Sequence, residues 1–311
     1  MIRHLIILLF LGLATALSVN AQQDALYSQY MFDKMLMNPA CAGSSKWMVG
    51  SLKNRMQYVK LEGAPTTNVF TFQAPVQVKK IGLGVKVVRD KIAVTNNLAA
   101  TAFFSYHLGF GKGKLSFGLE GGLLNNSYNY EGLHKVDLDD PALLLSAESY
   151  MHPDVSTGVY YQSASYYVGA SANHLFSLKK SISSVGDAQA YPKNRSFYGM
   201  GGYILELSDK MFLEPGFLVK YAMNAPLQVD LNLSFIWLDL FTAGASFRTG
   251  DAVVSYVKID ISKNFKLLYS YDFTISQLAK YSNGSHEIGI SYGIELLPPP
   301  EQKVIHPRYY F

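Results

Sequence analysis

The sequence predicts an all-β protein, a transmembrane antiparallel up-and-down β-barrel of about 14 strands. Three observations lead there. From about Trp47 onward the chain divides into segments of about ten residues in which apolar and polar residues alternate, the period of a strand whose two faces are solvated differently. The second face carries Gly, Ser, Asn and isolated charges, where a soluble sandwich would show Lys, Glu and Thr; small residues facing inward suit a crowded or wet lumen. The composition agrees, with 22 Tyr and 25 Gly against 16% charged residues.

The alternation is explicit in individual segments. In "KLSFGLEGGL", Leu115, Phe117, Leu119, Gly121 and Leu123 oppose Ser116, Gly118, Glu120 and Gly122. In "LQVDLNLSFIW", Leu227, Val229, Leu231, Leu233, Phe235 and Trp237 oppose Gln228, Asp230, Asn232 and Ser234. In "HEIGISYGIEL", Ile288, Ile290, Tyr292, Ile294 and Leu296 oppose Glu287, Gly289, Ser291, Gly293 and Glu295. The strands are expected at roughly 47–58, 66–75, 81–90, 96–108, 114–127, 153–162, 165–175, 195–207, 211–223, 226–237, 239–249, 252–261, 264–274 and 285–296. Each is close to the 9 to 11 residues, or a little more, that a tilted spanning strand needs. Tyr106, Tyr130, Tyr161, Trp237, Tyr269 and Tyr271 stand where interfacial aromatic girdles form.

The connections sort into two kinds. "FGKGK", "QSAS", "LSDK", "LD" and "SKN" are short and fall at alternate positions, while Glu131 to His152, Leu178 to Asn194 and Ser276 to Gly284 all fall on the opposite side. With both termini periplasmic, the short turns face the periplasm.

Ahead of the barrel, Met1 to Ala21 reads as a cleaved signal peptide: a short basic start, the uncharged run "LIILLFLGLATALS" and the small-residue end "VNA". A net charge of +4, scattered along the chain, does not make a nucleic-acid surface. The single cysteine, Cys41, excludes an internal disulfide and reads as a small apolar residue. After Glu295 the run Pro298 to Pro300 ends β pairing, leaving 297–311 as a periplasmic tail.

Between leader and barrel lies a segment, 22–46, that is neither a clean strand nor a core helix. It contains "YSQYMFDKMLMNPACAGS". The spacing of Tyr30, Met31, Lys34, Met35 and Met37 fits one or two helical turns, ended at Asn38 because the residue before Pro39 is steered out of the helical region. A tether packed against the first strand is the default expectation, with a plug inside the barrel and a docking element below it as the other arrangements. Its candidate residues are Tyr27, Gln29, Tyr30, Met31, Met35, Asn38, Pro39 and Gly43.

This stretch closely resembles the N-terminal signature of the PorP/SprF family of type IX secretion outer-membrane proteins of the Bacteroidota. Tyr27, Ser28, Gln29, Tyr30, Asn38, Pro39, Ala40, Ala42, Gly43 and Ser44 match it, while Cys41 stands where the family usually has Tyr. The resemblance continues through "NRMQY", with Arg55, Gln57 and Tyr58, then "GAPTT", the strand "GSHEIGISYGI" and the terminal "PRYYF". It implies a non-catalytic outer-membrane component of the type IX system, acting in secretion or gliding. The implied partners are the periplasmic ring and peptidoglycan-associated subunits, a secreted adhesin or other substrate with a type B C-terminal domain, and outer-membrane lipid, without nucleic acid. A small-solute porin is the alternative.

If the alternation holds, Lys53, Arg55, Gln57, Lys86, Glu120, Glu214, Lys220 and Asp230 line the lumen, as do Arg248, Lys258, Asp260, Lys266, Asp272, Glu287 and Glu295. Mixed charges in a narrow interior are expected to pair and so to favour a filled lumen over an open pore. No cofactor, metal site or catalytic set is expected. His107, His174 and His286 have no ligand partner nearby in sequence, Ser291 and His286 fall on opposite strand faces, and Asp137 to Asp140 lack the spaced oxygens of a calcium loop.

Overall fold

The computed structural model describes residues 24–76, 80–129, 147–176, 180–181, 189–190, 194–223, 225–238 and 240–296. Fourteen antiparallel strands close into a barrel. They are β1 (Trp47–Met56), β2 (Thr66–Val76), β3 (Ile81–Ile92), β4 (Thr95–Phe110), β5 (Gly113–Asn129), β6 (Ala147–Gln162) and β7 (Tyr166–Asn173). Then follow β8 (Ser196–Tyr203), β9 (Met211–Ala222), β10 (Gln228–Trp237), β11 (Phe241–Arg248), β12 (Ala252–Asp260), β13 (Phe265–Thr274) and β14 (Ser285–Glu295). Each pairs with its neighbours in sequence, and β14 returns to β1 in unbroken register from Trp47 opposite Glu295 to Met56 opposite His286. Beyond Ile204 the chain of β8 goes on as Leu205–Ser208, which pairs with β9 alone and slips register between Glu206 and Ser208.

The two-residue period decides which side chain goes where. Leu119 and Leu231 are each 55% exposed on the outer face, whereas their neighbours Glu120 and Asp230 are 5% and 2% exposed inside. The outer exposure is the surface that meets lipid. Among the described residues no helix is long and apolar enough to cross a membrane, and crossing falls to the strands.

All turns that follow an even-numbered strand, with the start of β1 and the end of β14, lie at one end of the barrel, here the short-turn end. Gly111 at this end, and Gly250 in the turn between β11 and β12 at the other, take positive φ of 58° and 73°, the left-handed backbone that their tight turns require. The connections 57–65, 130–146, 174–195 and 275–284 all lie at the opposite end. One of them holds a short 3-10 turn, Gln277–Lys280.

One strand differs from expectation: β6 begins at Ala147, not near 153, so part of the expected loop is strand. Pro153 within "SYMHPD" obscured it. That proline sits opposite Leu123 of β5, in the part of β6 that precedes its pairing with β7, which starts at Thr157 opposite Ala172. A residue without an N–H is tolerated where a strand pairs on one side only. Tyr130, the 137–140 loop, the leader and the tail fall outside the described residues.

Leu231→Arg, which puts a cation on the lipid face, is expected to cost about 2–4 kcal/mol of stability in lipid, less if the site lies near an interface. Denaturant unfolding of the barrel in vesicles measures it.

Candidate functional site: a segment threaded through the barrel

Residues 24–46 run through the lumen. Asp24 sits toward the long-connection end, where its carboxylate faces His174 Nε2 at 2.8 Å and accepts from the Tyr198 hydroxyl at 3.1 Å. At the short-turn end the segment leaves into β1, and Lys46 pairs with Glu295 at 2.6 Å. The default expectation of a tether against the first strand is thus corrected: the segment touches strands all round the wall, as the hydrogen bonds below show. Asp24 also lies at the opposite end from the close of β14, so the first described residue and the last strand's end do not share a side.

The path is three single 3-10 turns, η1 (Tyr30–Phe32), η2 (Lys34–Leu36) and η3 (Pro39–Cys41), in place of one or two α-helical turns. Asp33, at φ −145°, separates the first two, and Asn38, extended before Pro39, starts the third.

Ser28 and Gln29 grip one wall. The Ser28 amide donates to Glu287 Oε2 at 2.7 Å, and its hydroxyl donates to Asp272 Oδ2 at 2.8 Å while accepting from Arg55 Nη1 at 2.9 Å and Arg248 Nη2 at 3.3 Å. Arg55 pairs with Asp272 at 2.7 Å and Glu287 at 3.3 Å; Arg248 pairs with Asp230 at 3.1 Å and with Asp251 and Asp272 at 3.2 Å each. Arg248 is 1% exposed. Gln29 donates to the Glu287 carbonyl at 2.7 Å. Above this cluster, in the β1–β2 connection, burial and then the Asp251 carboxylate push the Tyr58 hydroxyl up to about 12, and it donates to Asp251 at 3.1 Å.

Asn38 to Gly43 grip the opposite wall. The Asn38 side chain accepts from the Ala40 amide at 2.9 Å, capping η3, and donates to the carbonyls of Val159 and Ala170 at 3.0 and 3.2 Å on β6 and β7. Ser105 donates to the Ala42 carbonyl and Ser171 to the Met37 carbonyl, both at 2.6 Å. The backbone approach here excludes side chains. A Cβ on Gly82 would stand 2.0 Å from the Ala42 carbonyl oxygen, one on Gly118 2.1 Å from the Ala40 nitrogen, and one on Gly158 2.0 Å from Asn38 Oδ1. Gly43, at φ +58°, fits against Gly82 and Ala74.

Between the grips, Asp33 accepts from Thr71 at 2.7 Å and faces Lys53 at 3.6 Å, and Asn232 donates to the Tyr30 hydroxyl at 2.6 Å. Tyr30, Met31, Leu36, Met37, Ala40 and Cys41 form the apolar core with residues of the wall. Met35 packs separately with Ala42 and Phe103. Cavities of about 60 and 50 Å³ lie beside the segment. Each has room for a few waters at roughly 10–15 Å³ apiece.

Of the segment's candidate residues, Gln29, Tyr30, Met31, Met35, Asn38, Pro39 and Gly43 are buried and Tyr27 is half-buried, so they face the barrel interior and not a space below it. The candidate lumen residues point inward. Lys86 pairs with Glu120 at 2.7 Å, Glu214 accepts from the Tyr167 hydroxyl at 3.1 Å, and Lys220 lies 5.9 Å from the centre of the Tyr198 ring. Gln57, just past β1, is buried, its backbone N–H donating to the Pro65 carbonyl at 2.9 Å. His107 lies between the Ser105 and Ser116 hydroxyls, and His286 meets the Tyr269 hydroxyl outside. His174 differs from its expectation: Asp24 and Asp154, at 2.8 and 2.7 Å, come to it from 150 and 20 residues away, which sequence spacing does not reveal. Among the described residues no His, Cys, Asp or Glu cluster has metal-binding geometry. Sequence reasoning also passed over Asp33, Thr71, Ser105 and Ser171. The inward glycines opposite a small-residue motif were the available signal.

A closed barrel with an apolar outside and a polar, filled inside defines an outer-membrane β-barrel protein. Residues 19–292 match the family described as type IX secretion system membrane protein PorP/SprF, and the chain belongs to that family. It is therefore an outer-membrane component of the type IX secretion system. No curated protein matches it. Among solved structures it is similar to the Ralstonia pickettii toluene transporter TbuX, with TM-score 0.52 and 11% identity over 84% of this chain and 92% of that one, a likeness of fold alone. A TodX mutant, a monoaromatic hydrocarbon channel, matches at TM-score 0.49 and 11% identity over 88% and 95%.

Two outcomes follow from the grips. Cys41, the single cysteine and 4% exposed, should resist a maleimide in the folded barrel, and Gly118→Leu should make it reactive by displacing η3. Arg248→Leu leaves Asp230 and Asp272 without that cation and should lower stability by about 3–5 kcal/mol, read from the unfolding midpoint.

Proposed function

We propose that the protein is a non-catalytic scaffold of the type IX system. It binds the periplasmic ring or peptidoglycan-associated subunits on one side and a secreted or surface-held protein, such as a gliding adhesin with a type B C-terminal domain, on the other. The single observation that carries this reading is the occupied lumen. A barrel whose interior is filled by its own chain, with hydrogen bonds to opposite walls, is built to hold partners and not to pass solutes. This favours the scaffold over the small-solute channel.

In this reading the short-turn end faces the periplasm and the long connections face outward, as bacterial barrels arrange them. The periplasmic rim then offers exposed Lys80, Lys112, Lys210 and Lys263, one in each of four turns. Such a rim complements an acidic partner surface and speeds encounter with it.

The test is an affinity pull-down of the tagged protein from solubilised outer membranes, beside a variant with Lys112→Glu, Lys210→Glu and Lys263→Glu. Recovery of secretion-system subunits with the intact protein, and their loss with the charge-reversed one, is the expected result. Recovery of no such subunit with either, together with stepwise conductance of the intact barrel in a planar bilayer, would replace the scaffold with the channel.

A further inference from the structure

The lipid-facing surface is uneven. On β8 to β13 the outward residues near the long-connection end are mostly apolar or aromatic, among them Phe197, Tyr221, Leu231, Phe247, Val253 and Phe273, with Ser255 of β12 a polar exception. On β1 to β4 the corresponding positions hold Asn54, Asn68, Arg89, Lys91 and Asn96 beside the apolar Met56 and Leu98, the polar ones brought together by the pairing of Asn54 with Asn68 and of Asn68 with Arg89. The Asn54 amide donates to Asn68 Oδ1 at 2.8 Å, and Arg89 Nε donates to Asn96 Oδ1 at 3.0 Å. These two bonds fix the rim of the patch. Arg89 and Lys91 are exposed, and Asp90 between them turns inward, where it accepts from Thr67 at 2.6 Å. The outer face here is left with two cations.

Directly beside this rim lies a groove of about 420 Å³, floored by Leu52, Phe70, Val87, Ile288 and Ile290. Its volume falls within the roughly 300–1,000 Å³ of ligand clefts. An apolar channel that ends in an amide pair and a guanidinium has the polarity of an amphiphile. An acyl chain would bury the aliphatic floor, and a phosphate would take the fork of Arg89, whose terminal nitrogens present paired donors.

We propose that this notch binds one phosphorylated glycolipid of the outer leaflet, with an acyl chain in the groove and a phosphate at Arg89. The leaflet rests on the orientation given above; the chemistry of the notch does not. Bound there, the lipid would fix the rotation of the barrel in the membrane relative to its partners.

The experiment is native mass spectrometry of the intact protein in detergent, with diphosphoryl lipid A and phosphatidylglycerol as separate probes. One retained lipid A per barrel is expected. Arg89→Gln should weaken it by about tenfold, the equivalent of one charge-assisted hydrogen bond. Leu52→Trp, which fills the groove from outside and leaves the lumen untouched, should weaken it comparably. Protection of Cys41 from maleimide verifies that each variant is folded. Equal retention by folded wild-type and variant proteins would overturn the site. Stronger, Arg89-dependent retention of phosphatidylglycerol would overturn the choice of glycolipid and of leaflet while leaving the scaffold function to its own test.

Discussion

Closing a sheet on itself removes its edges but turns half of every strand inward, and the inward half of this barrel is charged. Arg55, Arg248, Asp230, Asp272 and Glu287 are each at most 2% exposed. A buried ion deprived of water loses several kcal/mol unless another charge and fixed hydrogen bonds replace the solvent. The wall alone does not supply all of these. Ser28 does, meeting both arginines and both of the carboxylates Asp272 and Glu287 through its amide and hydroxyl. The segment before β1 is therefore part of what makes the interior tolerable, and the strands are in turn what gives that segment its shape.

The opposite wall solves a different problem by subtraction. There Lys86 and Glu120 pair with each other, and close backbone packing holds the segment. Gly82, Gly118 and Gly158 lack side chains where Ala42, Ala40 and Asn38 arrive, and those partners are themselves small or short. A larger residue on either side would separate the two surfaces. The polar grip and the close-packed grip act together, so the segment is held at both ends and its methionines and tyrosines fill what lies between.

The fold was largely legible because its cause is local. A two-residue period with apolar and small polar faces is written in the order of the residues, as in Phe117 to Glu120, and an even number of such strands lets the last pair antiparallel with the first. Pro153 hid the first six residues of β6, since one-sided pairing is a property of the neighbours and not of the strand. The grips were only partly legible. Asn38 before Pro39 announced a break, but that Asn38 would also cap Ala40 and reach two strands more than 120 residues away is a matter of tertiary distance. His174 appeared alone for the same reason. The motif "YSQY" was recognisable as a resemblance well before its chemistry could be derived, because the chemistry resides in Arg55, Arg248, Asp272 and Glu287.

The proposed function rests on the same arrangement. A barrel that spends its lumen on its own chain presents its two rims and its outer face to the surroundings, and partners are to be sought there. The central claim is that the segment and the wall fold as one unit. Hydrogen–deuterium exchange of the intact protein in micelles tests it most directly, by comparing peptides covering 28–43 with those of β5 and β14. Protection of the segment matching that of the strands is the predicted result. Complete exchange of the segment within the shortest labelling time, with the strands still protected, would contradict the account.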